Sequence, residues 1–405
     1  MKHRRLMAAL LVVLTALMPF AALAAGEKNV DNLPIGNLEG FESSSTWFGE
    51  DFAYDITDEE ACWELLQRPI TVLDVSEKEV VYPRVSPDGE KVVNEWMGGS
   101  INGSLAAVHV LGEDEDGWTL IEGMDYYDRI IRGYVKTSLL KTVTPNNKYG
   151  IIIDKLTQRL YMFIDGKLWS SCSVSTGLPN KDQPYNETAA GEYLIGSWVG
   201  GFDSEGMYCE MGIRFNGGDL LHQVPYVEFA DGTKDFSKYG SQLGRKASHG
   251  CVRVARTAND EGLCISWLWE NLKKNTKVIV WDDDGRTLPY PDDDLEIYYN
   301  PDGGTSYHAT ATCRSVRDKY LPLTAFTYGE LDSGKYASLT GCTNCIPVKR
   351  RAEIDEINQE RIELGELLKN PVYTGGATTG GGAQASAGAS EDSSETSDGV
   401  TITIR

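Results

Sequence analysis

The 405-residue chain is long enough for two or three domains. Its 41% hydrophobic and 24% charged residues are ordinary for a globular protein and exclude wholesale disorder. Asp+Glu number 60 against Lys+Arg 38, a net charge of −22. That excludes a surface built to grip nucleic acid or an anionic membrane, since both need clustered cations. The 8 cysteines are too sparse for a disulfide-packed scaffold, so each is read singly.

Residues 1–25 open on Lys2, Arg4 and Arg5, continue as an apolar run from Leu6 to Leu23, and carry small residues at Ala22 and Ala24. This is the pattern of a signal peptide cleaved near Ala24. The run is also near the ~20 residues of a membrane span; the Ala-x-Ala ending favours cleavage over a retained anchor. Cleavage removes three cations and no acids, taking the charge from −22 to −25. The expectation is an exported, soluble, acidic protein with no stable membrane anchor.

Residues 26–68 are polar, with one amphipathic stretch, DEEACWELLQ (58–67), suited to a helix. From 69 to 145 short alternating runs (ITVLDV, KVVNEW, AAVHVLGE, GWTLIEG, IRGYVKT) predict closely spaced strands, the pattern of a small barrel or sandwich. A second β-rich region spans 148–283. It begins IIIDKLTQRLYMFIDGKLW, two alternating runs around Asp165-Gly166, a strong hairpin signal. The segment ANDEGLCISWLWENL (258–272) predicts a helix capped by Asn259 or Thr257. TKVIVWD (276–282) predicts a closing strand. A Pro/Asp-rich linker is expected at 284–299, a small Cys/His unit at 300–349 and a helix at 350–371. The Gly/Ser/Ala/Thr-rich tail, 372–405, is expected to stay disordered.

The segment GRKASHGCVRVAR (244–256) carries the chemistry. A cysteine nucleophile needs a base to generate thiolate, donors for an oxyanion and a backbone that exposes sulfur. Cys251 follows Gly250, which permits a tight path and close approach of substrate. The amides of Gly250 and Cys251 are placed to face a developing oxyanion. His249 lies two residues before Cys251, and a second histidine, His222, stands upstream in DLLHQVPY at the end of a predicted strand. Cys62, Cys172, Cys209 and Cys264 read as core thiols, with a disulfide among them the alternative in an exported protein.

In order along the chain, IIIDKLTQRLYMFIDGKLW, SVSTG (173–177), TAAGEYLIG (188–196), IRFNGGDLLHQ (213–223) and SHGCVR (248–253) resemble the L,D-transpeptidase catalytic domain of YkuD type. The run VHVLGEDEDGWTLIEG…IRGYVKTSLLKTV (108–143) resembles a bacterial SH3-like wall-associated domain. The resemblance implies a mainly β chain: an SH3-like barrel, then an L,D-transpeptidase β-sandwich with one helix after the motif, then the small Cys/His unit. It implies Cys251 as nucleophile, His222 as its general base, His249 as a shaper of the site and Gly250 with Cys251 as oxyanion donors. Arg253 would hold a site loop or a substrate carboxylate, and Ser248 would fix the motif turn. The substrates would be peptidoglycan stem peptides, cross-linked through a thioester with no catalytic cofactor or metal. The resemblance also implies inhibition by carbapenems far more than by penicillins. Two departures stand out. Gln223 follows the first histidine where the family has Gly or Ser, leaving its backbone carbonyl to orient the imidazole. The stretch VPYVEFADGTKDFSKYGSQ (224–242) lengthens the gap to Ser248 and reads as a loop insertion over the site.

His308, Cys313, Cys342 and Cys345 form a His-x4-Cys…Cys-x2-Cys pattern. Four such ligands suit a closed tetrahedral zinc site. One or two disulfides, or a redox-active Cys342–Cys345 pair, remain open alternatives. The rivals to a transpeptidase are an L,D-carboxypeptidase using the same site, a non-catalytic wall-binding module, and a metal- or redox-sensing wall protein.

Overall fold

The computed structural model describes residues 54–369, apart from short stretches at 77–78, 93–99, 103–106, 114–115, 125–129, 182, 184–185, 205 and 217. The expected signal peptide, most of the 26–68 segment, residues 93–96 of KVVNEW and the 372–405 tail fall outside the described residues. Among the described residues no helix is long and apolar enough to cross a membrane.

Helix α1 runs Glu59–Gln67, where DEEACWELLQ predicted it. Asp58 caps it, its Oδ1 accepting from the Ala61 amide at 3.0 Å. A five-stranded antiparallel sheet follows, from β1 (Ile70–Leu73), β2 (Ala107–Glu113), β3 (Trp118–Met124), β4 (Ile130–Lys136) and β5 (Leu140–Val143), in the order β4-β3-β2-β1-β5. Leu73, Val108, Ile121, Ile131 and Val135 share its core.

The next nine strands make the central domain: β6 (Tyr149–Asp154), β7 (Arg159–Ile164), β8 (Lys167–Ser175), β9 (Gly191–Leu194), β10 (Trp198–Ser204), β11 (Met207–Arg214), β12 (Leu220–Gln223), β13 (Val252–Val254) and β14 (Lys277–Trp281). Their order is β9-β14-β6-β7-β8-β13-β12-β11-β10. The hairpin at Asp165-Gly166 is a two-residue turn joining Ile164 to Lys167, with φ +49° and +86°. Both residues left-handed is the turn that Asp-Gly favours between right-twisted strands. Strand β8 pairs with β7 along Lys167–Ser173 and with β13 at Val174–Ser175. It thus carries the ladder from one layer to the other. Ile151, Ile153, Leu160, Met162, Val278 and Val280 from one side meet Ile213, Leu221, Val252 and Val254 from the other in one buried core. Leu263, Ile265 and Leu268 join them from helix α2 (Ile265–Asn271) and the turn before it.

Period-2 alternation sends the other face of β6, β7 and β14 outward. Ile152, Phe163, Ile279 and Trp281 there pack on Cys62, Leu65 and Leu66 of α1. A Cβ on Gly150 would lie 2.7 Å from Leu66 Cδ1, so the helix sits directly on the strand. Buried Lys277 ties the two together, donating to the Leu65 and Arg68 carbonyls at 2.8 and 2.9 Å and pairing with Glu192 at 2.5 Å. A helix otherwise left with unsatisfied C-terminal carbonyls is closed by a lysine from the sheet.

Two expectations shift. Helix α2 begins at Ile265, well inside the 258–272 segment. Asn259 spends its side chain on a preceding turn, Oδ1 accepting the Leu263 amide at 2.8 Å and Nδ2 donating to Ser170 and Ser171. Gly262, at φ +97°, breaks the path. The expected linker at 284–299 is also shorter. Glu296–Tyr299 is a strand, β15, of a four-stranded sheet with β16 (Ser306–His308), β17 (Thr324–Thr327) and β18 (Thr340–Gly341), ordered β17-β15-β16-β18. Helix α3 spans Arg351–Lys369. Its Arg361 reaches the central domain, Nε lying 2.7 Å from Asp283 Oδ2.

Candidate active site

Strands β12 and β13 run parallel, with Leu221 opposite Val252 and His222 opposite Arg253. Leu221 and Val252 are fully buried in the central core. Alternation therefore turns Leu220 and His222 to the opposite face, and the residue before Val252, Cys251, to that same face. Cys251 packs there against the buried cluster of Phe202, Cys209 and Leu220. The Phe202 ring stands edge-on to His222, centroids 5.4 Å apart at 81°. The two residues expected to be nucleophile and base share one face of the sheet, around Phe202.

The motif is zipped onto the end of β8. The Gly244 amide donates to the Val174 carbonyl at 2.9 Å, the Ala247 and Ser248 amides to the Thr176 carbonyl at 2.9 and 3.0 Å, and the Leu178 amide to the Ser248 carbonyl at 2.9 Å. Ser248 Oγ donates to the Cys251 carbonyl and accepts the Gly250 amide at 3.3 Å. Ser248 thus bridges the turn from Gly250 to Cys251, and the Gly250 N–H expected to face an oxyanion leans on Ser248 in this state. Gly250 has φ +119°, and a Cβ there would fall 2.6 Å from Asp219 Oδ1, so only glycine fits. Thr188 holds its carbonyl: Thr188 Oγ1 donates to Gly250 O at 2.6 Å and accepts the Gly177 amide at 2.8 Å. His249 is exposed.

His222 is buried, and its Nδ1 lies 2.6 Å from the Gln223 carbonyl. A carbonyl only accepts, so Nδ1 carries the proton and Nε2 keeps its lone pair. At the Gln223 departure it is therefore the backbone, not the side chain, that sets the tautomer. Burial pushes the imidazole down to about 4, the Gln223 carbonyl working against the shift and the Arg253 charge adding to it. Burial pushes the Cys251 thiol up to about 12, reinforced by the Asp219 charge. The Leu220 amide, Arg253 and Arg214 pull it back. Burial also lifts the Asp219 carboxyl to about 7. Near neutral pH both groups are therefore uncharged, a thiol and an imidazole on the same face.

Arg253 is buried, its Nη1 donating to Gln242 Oε1 at 2.6 Å and its guanidinium 5.4 Å from the Tyr239 ring centroid. Both contacts are to the 224–242 stretch. Gln242 ends the 224–242 insertion, whose carbonyl also accepts from Ser175 Oγ at 2.7 Å. The insertion folds as a short ribbon, Val227–Glu228 with Lys234–Asp235, and a helical turn at Ser237–Gly240.

Sequence reasoning passed over three supporting residues. Thr188 lay inside a quoted motif without a task. Asp219 lies in the strand lead-in to His222. Lys246, two residues before Ser248, is buried with Nζ 2.8 Å from Glu187 Oε1 and 3.0 Å from Asp283 Oδ2. A buried lysine inside a motif loop was the available signal, since such a charge needs carboxylates brought to it.

His308, Cys313, Cys342 and Cys345 come together in the C-terminal unit, their ligand atoms all within 4.8 Å of one another. All eight cysteines are free thiols, and Cys62, Cys172, Cys209 and Cys264 are buried in the cores where they were expected. No disulfide joins any of them.

Residues 148–280 match the family model of the L,D-transpeptidase catalytic domain, YkuD. The match covers a minority of the chain. No curated protein matches it. Among solved structures, an L,D-transpeptidase from Stackebrandtia nassauensis is 22% identical over 33% of this chain and 56% of its own, TM-score 0.23. The L,D-transpeptidase (residues 123–326) from Xylanimonas cellulosilytica DSM 15894 is 20% identical over 34% and 61%, TM-score 0.24. The catalytic domain of the E. faecium L,D-transpeptidase is 16% identical over 34% and 98%, TM-score 0.24. The chain thus spans little more than half the length of the first two. Similarities this low add nothing to the family match, on which the assignment of 148–280 stands.

Proposed function

We propose that the protein is an exported L,D-transpeptidase that cross-links peptidoglycan stem peptides through a thioester on Cys251. The observation that carries the reading is the register of β12 on β13, which turns His222 and Cys251 to one face inside the matched domain. In the mechanism, His222 Nε2 takes the Cys251 proton as sulfur attacks the carbonyl of the third stem residue. The coupling is required because neither group ionises alone near neutral pH. The tetrahedral oxyanion turns toward the Cys251 and Gly250 amides, the latter leaving its long bond to Ser248. Collapse expels the terminal D-amino acid, whose amine receives the proton from His222. A side-chain amine of a second stem then attacks the thioester, gives its proton to His222, and restores the thiol as the new amide forms. His249 borders the entrance, and Arg253 keeps the insertion in place. The chemistry needs no cofactor. The five-stranded unit before the domain is proposed as the SH3-like, wall-associated part.

The ordered 224–242 insertion supports a second reading, in which restricted acceptor access leaves water to resolve the thioester, an L,D-carboxypeptidase. Tetrapeptide muropeptides incubated with the mature protein and with Cys251→Ala, followed by mass spectrometry, separate these. A dimer lacking one terminal D-residue, absent with the variant, is the expected product. Tripeptide monomer alone makes the enzyme a carboxypeptidase. Folded protein yielding neither sinks the enzyme reading for this substrate.

A further inference from the structure

The C-terminal unit holds a cluster that the acyl-transfer chemistry does not use. Strands β16 and β18 are parallel neighbours, with Tyr307 opposite Gly341. The next residue on each is His308 and Cys342, so the sheet sets these two side by side. The Cys342 amide donates to the Tyr307 carbonyl at 2.9 Å, and the Ile346 amide to the Cys342 carbonyl at 3.0 Å, curling Cys342–Cys345 into a knuckle. Cys345 Sγ then lies 3.6 Å from His308 Nδ1, and Cys313 Sγ lies 3.9 Å from Cys342 Sγ.

These separations discriminate between the possible uses of four such groups. Zn–S bonds of about 2.3 Å and Zn–N bonds of about 2.0–2.1 Å at tetrahedral angles put two sulfurs about 3.8 Å apart and a sulfur and a nitrogen about 3.6 Å apart. A disulfide needs its sulfurs at about 2.05 Å, and three cysteines leave one over. The sulfurs are also surrounded by donors. The Ala309 amide reaches Cys345 Sγ at 3.3 Å, the Asn344 amide reaches Cys342 Sγ at 3.4 Å, and Asn344 Nδ2 reaches Cys313 Sγ at 3.6 Å. Ser315 Oγ lies 3.1 Å from Cys313 Sγ and 3.3 Å from Cys342 Sγ. Such donors suit ligating thiolates, not thiols. The unit's own apolar core is small, built on Ile297, Tyr299, Tyr307, Phe326, Tyr328, Leu331 and Leu339. Units of this size commonly need a staple.

We propose that His308, Cys313, Cys342 and Cys345 hold one structural zinc ion, and that the ion keeps the C-terminal unit docked beside the loop entering the Cys251 motif. Three thiols release their protons to solvent as the Zn–S bonds form, and the neutral imidazole completes the shell. Soft thiolates with one imidazole in a closed four-ligand set select zinc over the hard cations. The docking follows from where the knuckle points. Asn344, held between two ligands, donates through Nδ2 to Asp260 Oδ1 of the central domain at 3.2 Å. Four residues beyond Cys345, Lys349 Nζ lies 3.4 Å from the Gly244 carbonyl, the first residue of the motif segment.

The test uses the full mature chain purified without added metal. Elemental analysis is expected to give one zinc per chain, falling to a small fraction in Cys345→Ser and Cys313→Ser. Because such variants can misfold, the second arm stays with the wild type. Zinc is exchanged for cobalt, and intense visible bands of a tetrahedral thiolate-bound cobalt are expected. Hydrogen exchange is then followed with and without chelator, and faster exchange is expected at 242–247 and 258–264 once metal leaves. A chain that carries no zinc and binds neither zinc nor cobalt after reduction overturns the site, as does a ~2 Da mass deficit mapping to a disulfide among Cys313, Cys342 and Cys345. Zinc loss with unchanged exchange in both segments overturns the docking role.

Discussion

Asp219→Asn tests the electrostatics of the nucleophile. The carboxyl abuts Gly250 and is the foremost charge holding the Cys251 thiol up. Asparagine keeps the shape and removes the charge. Removing a neighbouring like charge lowers the pKa of an ionising group by roughly 2 units, about 2.7 kcal/mol. Lowering a thiol pKa by that much raises its thiolate fraction about a hundredfold, while a Brønsted dependence near 0.5 takes back about tenfold in nucleophilicity. The variant is thus expected to react about tenfold faster. The gain has a pH signature, because Asp219 itself titrates near 7. At pH 9 the wild-type carboxylate is charged and the difference is full. Near pH 6 it is mostly protonated and the two proteins converge. The assay is alkylation by a small thiol reagent across pH 6–9, followed by intact mass, with Cys251→Ala as the baseline for other thiols. A rate ratio that stays constant with pH, or a variant slower than wild type at pH 9, refutes the assignment of Asp219 as the charge that suppresses the thiolate.

Thr188→Val leaves the Gly250 carbonyl and the Gly177 amide without their hydroxyl partner and is expected to cost about 1–3 kcal/mol for each orphaned group; kcat should fall far more than KM rises, with Thr188→Ser restoring most of it. His222 and Asp219 act oppositely on stability. Native His222 resists protonation until about pH 4 while the unfolded imidazole takes its proton near 6.5, so stability falls with acid across that window by up to about 3 kcal/mol. Native Asp219 stays protonated until about pH 7, above its ordinary value of 3.8, so its contribution falls as pH rises through 4–7. Asp219→Asn should therefore steepen the acid sensitivity of urea midpoints between pH 4 and 7, and an unchanged profile would contradict the shifts. Lys277→Met strands the Leu65 and Arg68 carbonyls at the end of α1 and leaves buried Glu192 with Arg68 as its remaining cation, with an expected loss of about 2–4 kcal/mol in denaturant unfolding; near-neutrality would show that this lysine contributes little to holding α1 on the sheet.

Local chemistry alone determined a good part of this protein. Asp165-Gly166 dictates its own two-residue turn because the backbone twist admits few other residues. Asp58 followed by an apolar-periodic run makes α1, and the order of short motifs from 148 onward marked the domain that the family match recovers. Cys251 and His222, the proposed nucleophile and base, were legible because cysteine and histidine are rare residue types and stand here in tight motif contexts. The Cys/His pattern at 308–345 likewise named four residues, though not their use. What depended on tertiary structure was everything set by contacts between distant segments. The register of β12 on β13 decides which face His222 takes, and a shift of one residue would have buried it in the core. The start of α2 was misplaced because Asn259 found partners on β8, 88 residues away in the case of Ser171, in preference to capping the helix. Glu296–Tyr299 read as linker because a four-residue strand carries too little periodicity to stand out until neighbours pair with it. Ionisation states were beyond the sequence altogether. Cys251, His222 and Asp219 are shifted by burial first, and burial is a property of the assembled fold, not of any one residue.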